Sequence, residues 1–193
     1  MDYRIMLGVI ATLIGFFSYV PYVRDVLRGK TKPHIYSWLI WAIVTGVAFF
    51  AQIAQGAFAS SWVNGIAALT CTFVVILSIK RGEKNIVLLD VICLVLGLIT
   101  IILWILTKNP FIALLLISLI DILAFIPTFR KVYHKPYEET LSTYVFSFFK
   151  YTLSTFALSQ ITLATSFFPI FAASLNGLFA AYTFTLRKIK IKR

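Results

Sequence analysis

Seven runs of mainly apolar residues, each about twenty residues long, follow one another with short polar connections between them: Ile5–Val23, Ile35–Gln55, Ala59–Ile79, Ile86–Leu106, Phe111–Phe129, Leu141–Leu163 and Phe167–Leu186. A helix rises 1.5 Å per residue, so about 20 apolar residues cross a hydrocarbon core of about 30 Å. Lipid offers no partner to a free backbone amide or carbonyl, so each run is expected to be helical. Composition leaves little else. The chain is 60% hydrophobic and 13% charged, where a water-soluble domain carries roughly a quarter of charged residues. The expected fold class is all-α integral membrane, with the bilayer as solvent. The first run has no strongly basic leader and no small-x-small cleavage pattern, and is read as a retained helix.

The formal charge of +11 resembles a nucleic-acid signal only until its positions are read. Arg24, Arg28, Lys30 and Lys32 follow the first run, and Lys80, Arg81 and Lys84 follow the third. Arg130, Lys131 and Lys135 follow the fifth, and Arg187, Lys188, Lys190, Lys192 and Arg193 follow the seventh. The alternate connections offer only Arg4 and Lys108. By the positive-inside rule the amino terminus is expected outside and the basic tail in the cytoplasm, as an odd number of spans also requires. The partners implied are the lipid bilayer and a small-molecule substrate, with a homo-oligomer left open and no nucleic acid. Cys71 and Cys93 fall inside apolar runs without CxxC spacing and are read as small buried hydrophobes. No metal-ligand cluster, phosphate loop or nucleophile motif is present in the sequence, so neither enzyme nor cofactor is expected.

The chain also repeats itself at an offset of 106 residues: Val20-Pro21-Tyr22-Val23-Arg24 answers Ile126-Pro127-Thr128-Phe129-Arg130, and Ser37, Phe50 and Trp62 fall on Thr143, Phe156 and Phe168. Each copy holds three runs and the fourth run joins them, so both copies point the same way. The expected organisation is a first three-helix repeat over 1–84, a linker helix over 85–109 and a second repeat over 110–193. Parallel repeats of this kind occur in transporters, with the substrate site between the halves near the midplane.

A three-one-three layout, an outside amino terminus and a proline near the cytoplasmic end of the first helix of each triplet resemble the SWEET sugar transporters and the wider PQ-loop superfamily. The local matches are Phe17-Ser18-Tyr19-Val20-Pro21-Tyr22, Ile126-Pro127-Thr128-Phe129 and, in the third run, Val63-Asn64-Gly65-Ile66. The resemblance implies that Asn64 binds a hydroxylated substrate and that positions near Phe50 and Phe156 take the place of the pocket tryptophans. The chain departs from the pattern at Tyr22 and Thr128, which replace the Gln of Pro-Gln, and at Ile170, where a second pocket Asn would fall.

Asp121 and Lys150 stand near the middle of their runs, where a charge costs at least about 2.5–3.5 kcal/mol and marks a functional site by default. Counted from the basic side, both lie about 14–16 Å deep, so they are expected to meet, with Asn176 at the same level bridging them. Their counterparts in the first copy are Gly15 and Val44, so this polar cluster belongs to the second half alone. The rival reading is a structural ion pair. Trp38 reads as an interfacial anchor, while Trp41, one turn deeper, could stack on a flat ligand; Trp-x-x-Trp also resembles the vitamin-precursor transporters related to SWEETs. Pro21 and Pro127 each remove a backbone hydrogen bond and are candidates for hinges of an inner gate. Asp90 reads as an ordinary interfacial acid and Glu138-Glu139 as an exposed acidic step capping the sixth helix.

The function expected is a small-solute transporter working by alternating access, with a sugar or other small polar metabolite as substrate. Two alternatives stand beside it: a proton-coupled carrier of an amino acid or other zwitterion using Asp121, and a receptor or assembly factor that keeps the fold without transport.

Overall fold

The structure is a computed structural model that describes residues 3–54, 58–158 and 161–191. Among them the regular elements are seven helices and no strands: α1 (Tyr3–Leu27), α2 (Ile35–Ala54), α3 (Phe58–Arg81), α4 (Leu88–Leu106), α5 (Pro110–His134), α6 (Leu141–Phe156) and α7 (Leu163–Ile191). Five of them, α1, α3, α4, α5 and α7, are long and apolar enough to cross a membrane, and α2 contributes a shorter apolar stretch. The chain is therefore an all-α, multi-pass membrane protein.

Local chemistry sets the helix ends. The left-handed conformation at Gly29, φ 70°, stops α1, and its amide returns to the Val26 carbonyl; without a Cβ, glycine adopts that conformation at little cost. Asn109 caps α5 by accepting from the amides of Phe111 and Ile112, with Pro110 at the first helical position, where its missing N–H costs nothing. The sixth run was expected to continue to Leu163 and the seventh to begin at Phe167. Instead α6 ends at Phe156, only 16 residues long, or about 24 Å. The next helix starts earlier because Thr162 and Thr165 cap its first turn reciprocally, each hydroxyl accepting the other residue's amide at 3.2 and 3.0 Å. Gln55 and Gln160 lie outside the described residues, as do Lys192 and Arg193 of the basic tail.

The outward helix faces are apolar, while four charged side chains, Glu83, Asp90, Lys131 and Glu139, are buried. On α1 a narrow stripe of Ala11, Gly15, Ser18, Tyr22 and Val26 is buried, while Ile5, Val9, Leu13, Phe17 and Val20 face outward. On α4, Asp90, Cys93, Gly97, Thr100 and Ile101 face inward and Leu88, Ile92, Leu96, Ile99 and Leu103 face outward. Such an outer face suits acyl chains, which leave helices to associate through close packing of small residues. Gly97 illustrates this: a Cβ there would stand 3.0 Å from Ile40 Cδ1 on α2.

Contacts between helices follow a definite pattern. Helix α3 packs on α1 and α2, α7 packs on α5 and α6, α1 packs on α6, and α2 packs on α5. Helix α4 lies against α5 and α2. Neighbours in sequence α1 and α2, and likewise α5 and α6, do not pack backbone to backbone among the described residues; they meet through side chains, Trp38 donating to Tyr22 and the Phe125 ring lying 6.0 Å from that of Tyr144.

The ends of the bundle that carry the connections 28–34, 82–87 and 135–140 form one basic end, and buried ion pairs knit it together. Lys131, 2% exposed, pairs with Glu139 and donates to the carbonyls of Lys32 and Glu138. Glu139 is thus buried and paired, not the exposed capping step expected from sequence; Tyr144 also donates to it at 3.1 Å, and Thr140 takes the cap position. Asp90, expected to be unremarkable, is 0% exposed and accepts from Arg130 Nε at 2.9 Å and Nη2 at 2.5 Å. That bidentate fork clamps α4 to α5, and the Val87 amide completes it at 2.9 Å. His34, wholly buried, has Nε2 3.2 Å from the same carboxylate but is misaligned for a hydrogen bond. Burial holds its imidazole below the ordinary histidine range despite the pull of Asp90. On the same end Lys135 pairs with Glu83 at 2.9 Å.

Removing one member of a buried pair strands the other, at a cost of about 3–5 kcal/mol, whereas an exposed pair contributes under about 1 kcal/mol. Glu139→Gln is therefore expected to lower the unfolding temperature in detergent far more than Lys32→Gln, whose pair with Glu138 is 42% and 28% exposed; equal effects would refute the ranking. Burial pushes the Glu83 carboxyl up, but hydrogen bonds from the Asn85 and Lys84 amides and from Lys135 outweigh it and leave the group below its usual value of 4.5. Its stabilising contribution is then complete above about pH 4.5 and lost as pH falls through the depressed value. The difference in melting temperature between wild type and Glu83→Gln is expected to shrink on acidification below that point.

Candidate functional site

The two intramembrane charges reach a common cavity from different seams of the bundle. Asp121 stands on α5 where that helix meets α2, and Trp41 Nε1 on α2 donates to its Oδ1 at 2.9 Å. Lys150 stands on α6 where that helix meets α1, and its stem lies over Gly15: a Cβ at Gly15 would come within 2.8 Å of Lys150 Cδ. The Lys150 ammonium rests 4.0 Å from the centroid of the Tyr151 ring, a cation–π contact of about 0.5–2 kcal/mol.

Between these seams lies a cavity with about 580 Å³ of space between atoms, open solvent at its mouth included. Trp41, Asp121, Lys150 and Asn176 all line it. The three polar residues share this one cavity, yet the expected direct pairing of Asp121 with Lys150 does not occur among the described residues. The physical reason is the packing: Asp121 is turned to Trp41 on α2 and Lys150 lies over Gly15 on α1, so the two side chains enter the cavity from different seams. Nor does Asn176 bridge them, because its Nδ2 donates to the Ala172 carbonyl of its own helix at 2.9 Å.

Three other candidates lie elsewhere. Phe50 is 69% exposed and Phe156 60% exposed, so both face away from the cavity. They sit at the far ends of α2 and α6, a turn or more beyond the lining residues Thr45 and Tyr151. Asn64 is half-buried on α3 and outside the lining; seven residues before Cys71, it shares that residue's helix face about 10 Å farther from the basic end. Pro21 and Pro127 lie within α1 and α5, which both continue past them to the basic end.

Aromatic and hydroxyl groups complete the wall. Tyr19, Trp38, Phe125, Tyr144 and Tyr151 supply ring faces, and Thr45, Thr143 and Ser147 supply hydroxyls. The sequence carries a signal for them in the 106-residue offset. At the offset of 106, Tyr19 falls on Phe125, Trp38 on Tyr144, Trp41 on Ser147 and Thr45 on Tyr151, and all eight line the cavity.

The cavity has a closed side. Nearest the basic end, Trp38, Phe125, Thr143 and Tyr144 are each at most 4% exposed. Trp38 donates to the Tyr22 hydroxyl at 2.9 Å, Thr143 to the Ser18 carbonyl at 3.0 Å, and the Tyr144 and Phe179 rings pack 4.3 Å apart. Farther from that end Thr45, Ser147, Lys150 and Tyr151 are half-buried. An aromatic plug backed by the Lys131–Glu139 pair thus lies between the cavity and the basic end, whereas the lining farther from that end is less deeply buried. Comparison with known proteins finds no matching family model, no matching curated protein and no matching solved structure.

The contact at Gly15 makes a sign-changing prediction. Gly15→Ala forces the Lys150 stem aside and is expected to lower the melting temperature. In a Lys150→Ala background the clash is gone, and the higher helix propensity of Ala, worth up to about 1 kcal/mol, makes the same substitution neutral or stabilising. A double-mutant cycle measured by thermal unfolding checks this; additivity would show that the two residues do not pack together.

Proposed function

We propose that this chain is a small-solute transporter of the SWEET/PQ-loop type, built as two parallel three-helix repeats, α1–α3 and α5–α7, joined by α4. The helix contacts support the repeat. Exchanging α1 with α5, α2 with α6 and α3 with α7 maps the pattern onto itself: α3 with α1 and α2 becomes α7 with α5 and α6, and α1 with α6 becomes α5 with α2. Lys32 and Glu138 are mates at the offset of 106 and bond to each other, side chain to side chain at 2.7 Å and amide to carbonyl at 3.1 Å. A residue meets its own symmetry mate only beside the axis, so a twofold axis along the bundle accounts for that pair.

One observation carries the transport reading: the cavity is walled by matched positions of both halves and closed at one end only. In alternating access the site lies at the interface between repeats, and rocking of one half against the other changes the open side. Here the closed side is the basic end, which the positive-inside rule assigns to the cytoplasm, so the conformation is the outward-facing one. Opening the inner side would require parting the contacts that cross between the halves at the basic end, Lys131 with the Lys32 carbonyl, Lys32 with Glu138 and Thr143 with the Ser18 carbonyl, with Pro21 and Pro127 positioned to hinge the segments that carry them.

A cysteine at Ser147 is expected to react with a membrane-impermeant thiol reagent applied from the amino-terminal side. Added solute should protect it, and a disulfide locking the basic end should leave its labelling intact. In reconstituted vesicles the same lock is expected to abolish flux by more than about tenfold while preserving binding. Solute binding without flux in the unlocked protein would favour a receptor instead, and labelling only from the tail side would reverse the proposed topology.

A further inference from the structure

The cavity presents two opposite charges that no hydrogen bond or salt bridge joins to each other among the described residues. Among the described residues the Lys150 ammonium, with three donors, meets no acceptor and only the Tyr151 ring. Asp121 accepts from Trp41 through Oδ1, and its Oδ2 receives no hydrogen bond among the described residues. Both side chains are half-buried where they face the cavity. A charge at this depth is costly unless it is paired, and nearby ion pairs show that the fold pairs charges when packing allows. Lys131 with Glu139 and Arg130 with Asp90 are both closed contacts.

Asp121 and Lys150 do not close on each other in this way: Trp41 holds the carboxylate in the α5–α2 seam, and the Lys150 stem lies over Gly15 in the α6–α1 seam. A ligand carrying both charges would complete them together. A neutral ligand would leave two unpaired ions, and a simple cation or anion would leave one. Ring faces from Tyr19, Trp38, Trp41, Phe125, Tyr144 and Tyr151 surround the charges, a lining suited to an apolar or aromatic body. We infer that the cavity selects a zwitterion with an apolar side chain, of the α-amino acid pattern, its ammonium on Asp121 Oδ2 and its carboxylate on Lys150. The inference rests on the carrier reading for how the solute crosses but not for how it is held.

The test uses the purified full chain, with L-phenylalanine and L-leucine as probes. Phenethylamine lacks the carboxylate, 3-phenylpropionate lacks the ammonium, and glucose lacks both charges. Binding by calorimetry in detergent is expected to favour L-phenylalanine over each single-charge analogue by about tenfold or more, the usual scale for losing one charge-assisted hydrogen bond. Lys150→Gln should erase the preference over phenethylamine and keep the preference over 3-phenylpropionate; Asp121→Asn should do the reverse. That crossed pattern separates ligand contact from a folding defect, which would lower all affinities together. Preference for glucose, or variants that lower binding of every probe equally, would overturn the inference. Flux in vesicles is scored separately. Crossed binding without flux would refute the carrier and leave the zwitterion site standing. Glucose flux untouched by both variants would do the opposite.

Discussion

Hydrocarbon cannot hydrate an ion, and that constraint organises this protein from its basic end inward. Lys131 illustrates it. Its ammonium is buried among a carboxylate and two backbone carbonyls, Glu139, Lys32 and Glu138, so its three donors are all used. The acceptors come from the connection before α2 and the connection before α6, so satisfying one cation ties those two segments to α5. Arg130 does the same for α4 through Asp90 and the Asn85 carbonyl. Apolar packing holds neighbouring helices side by side, but lipid competes with it for every outward face; a buried charge admits few alternatives, and so it sets register.

The same physics gives the cavity its character by being left incomplete. Where the first half of the chain has Gly15 and Val44, the second has Asp121 and Lys150. Gly15 is not merely the uncharged counterpart: its missing side chain is the space through which the Lys150 stem passes. Trp41 is likewise the first-half residue that orients the second-half carboxylate. Asp121 and Lys150 are therefore each packed against a residue of the first half of the chain, and the asymmetry of the sequence becomes a polarity across one site. A wall of aromatic rings and hydroxyls, matched between halves, surrounds that polarity.

Much of the site was legible as depth and little of it as direction. Counting residues from the basic connections placed Asp121, Lys150 and Asn176 at one level, and they share one cavity. Azimuth was not available from that count, so a direct ion pair was expected where two separate seams exist. Phe50 and Phe156 were chosen by resemblance and face outward; the offset of 106, carried along the whole of both copies, points instead to Tyr19, Trp38, Thr45 and their mates. Nearness to a basic connection suggests water around Asp90 and Glu139, whereas the neighbouring helices bury both.

What the sequence determined by itself is the set of helices and the medium they require. Runs of about twenty apolar residues with this little charge cannot be covered by a polar shell, and in lipid the backbone must satisfy itself within each helix. Only the tertiary structure decided which helix touches which, and with it which charges are closed into ion pairs and which are left facing a cavity. That choice depends on contacts between residues far apart in the chain, such as Trp41 with Asp121 and Gly15 with Lys150. A helix's own periodicity carries no record of the neighbour against which it will pack.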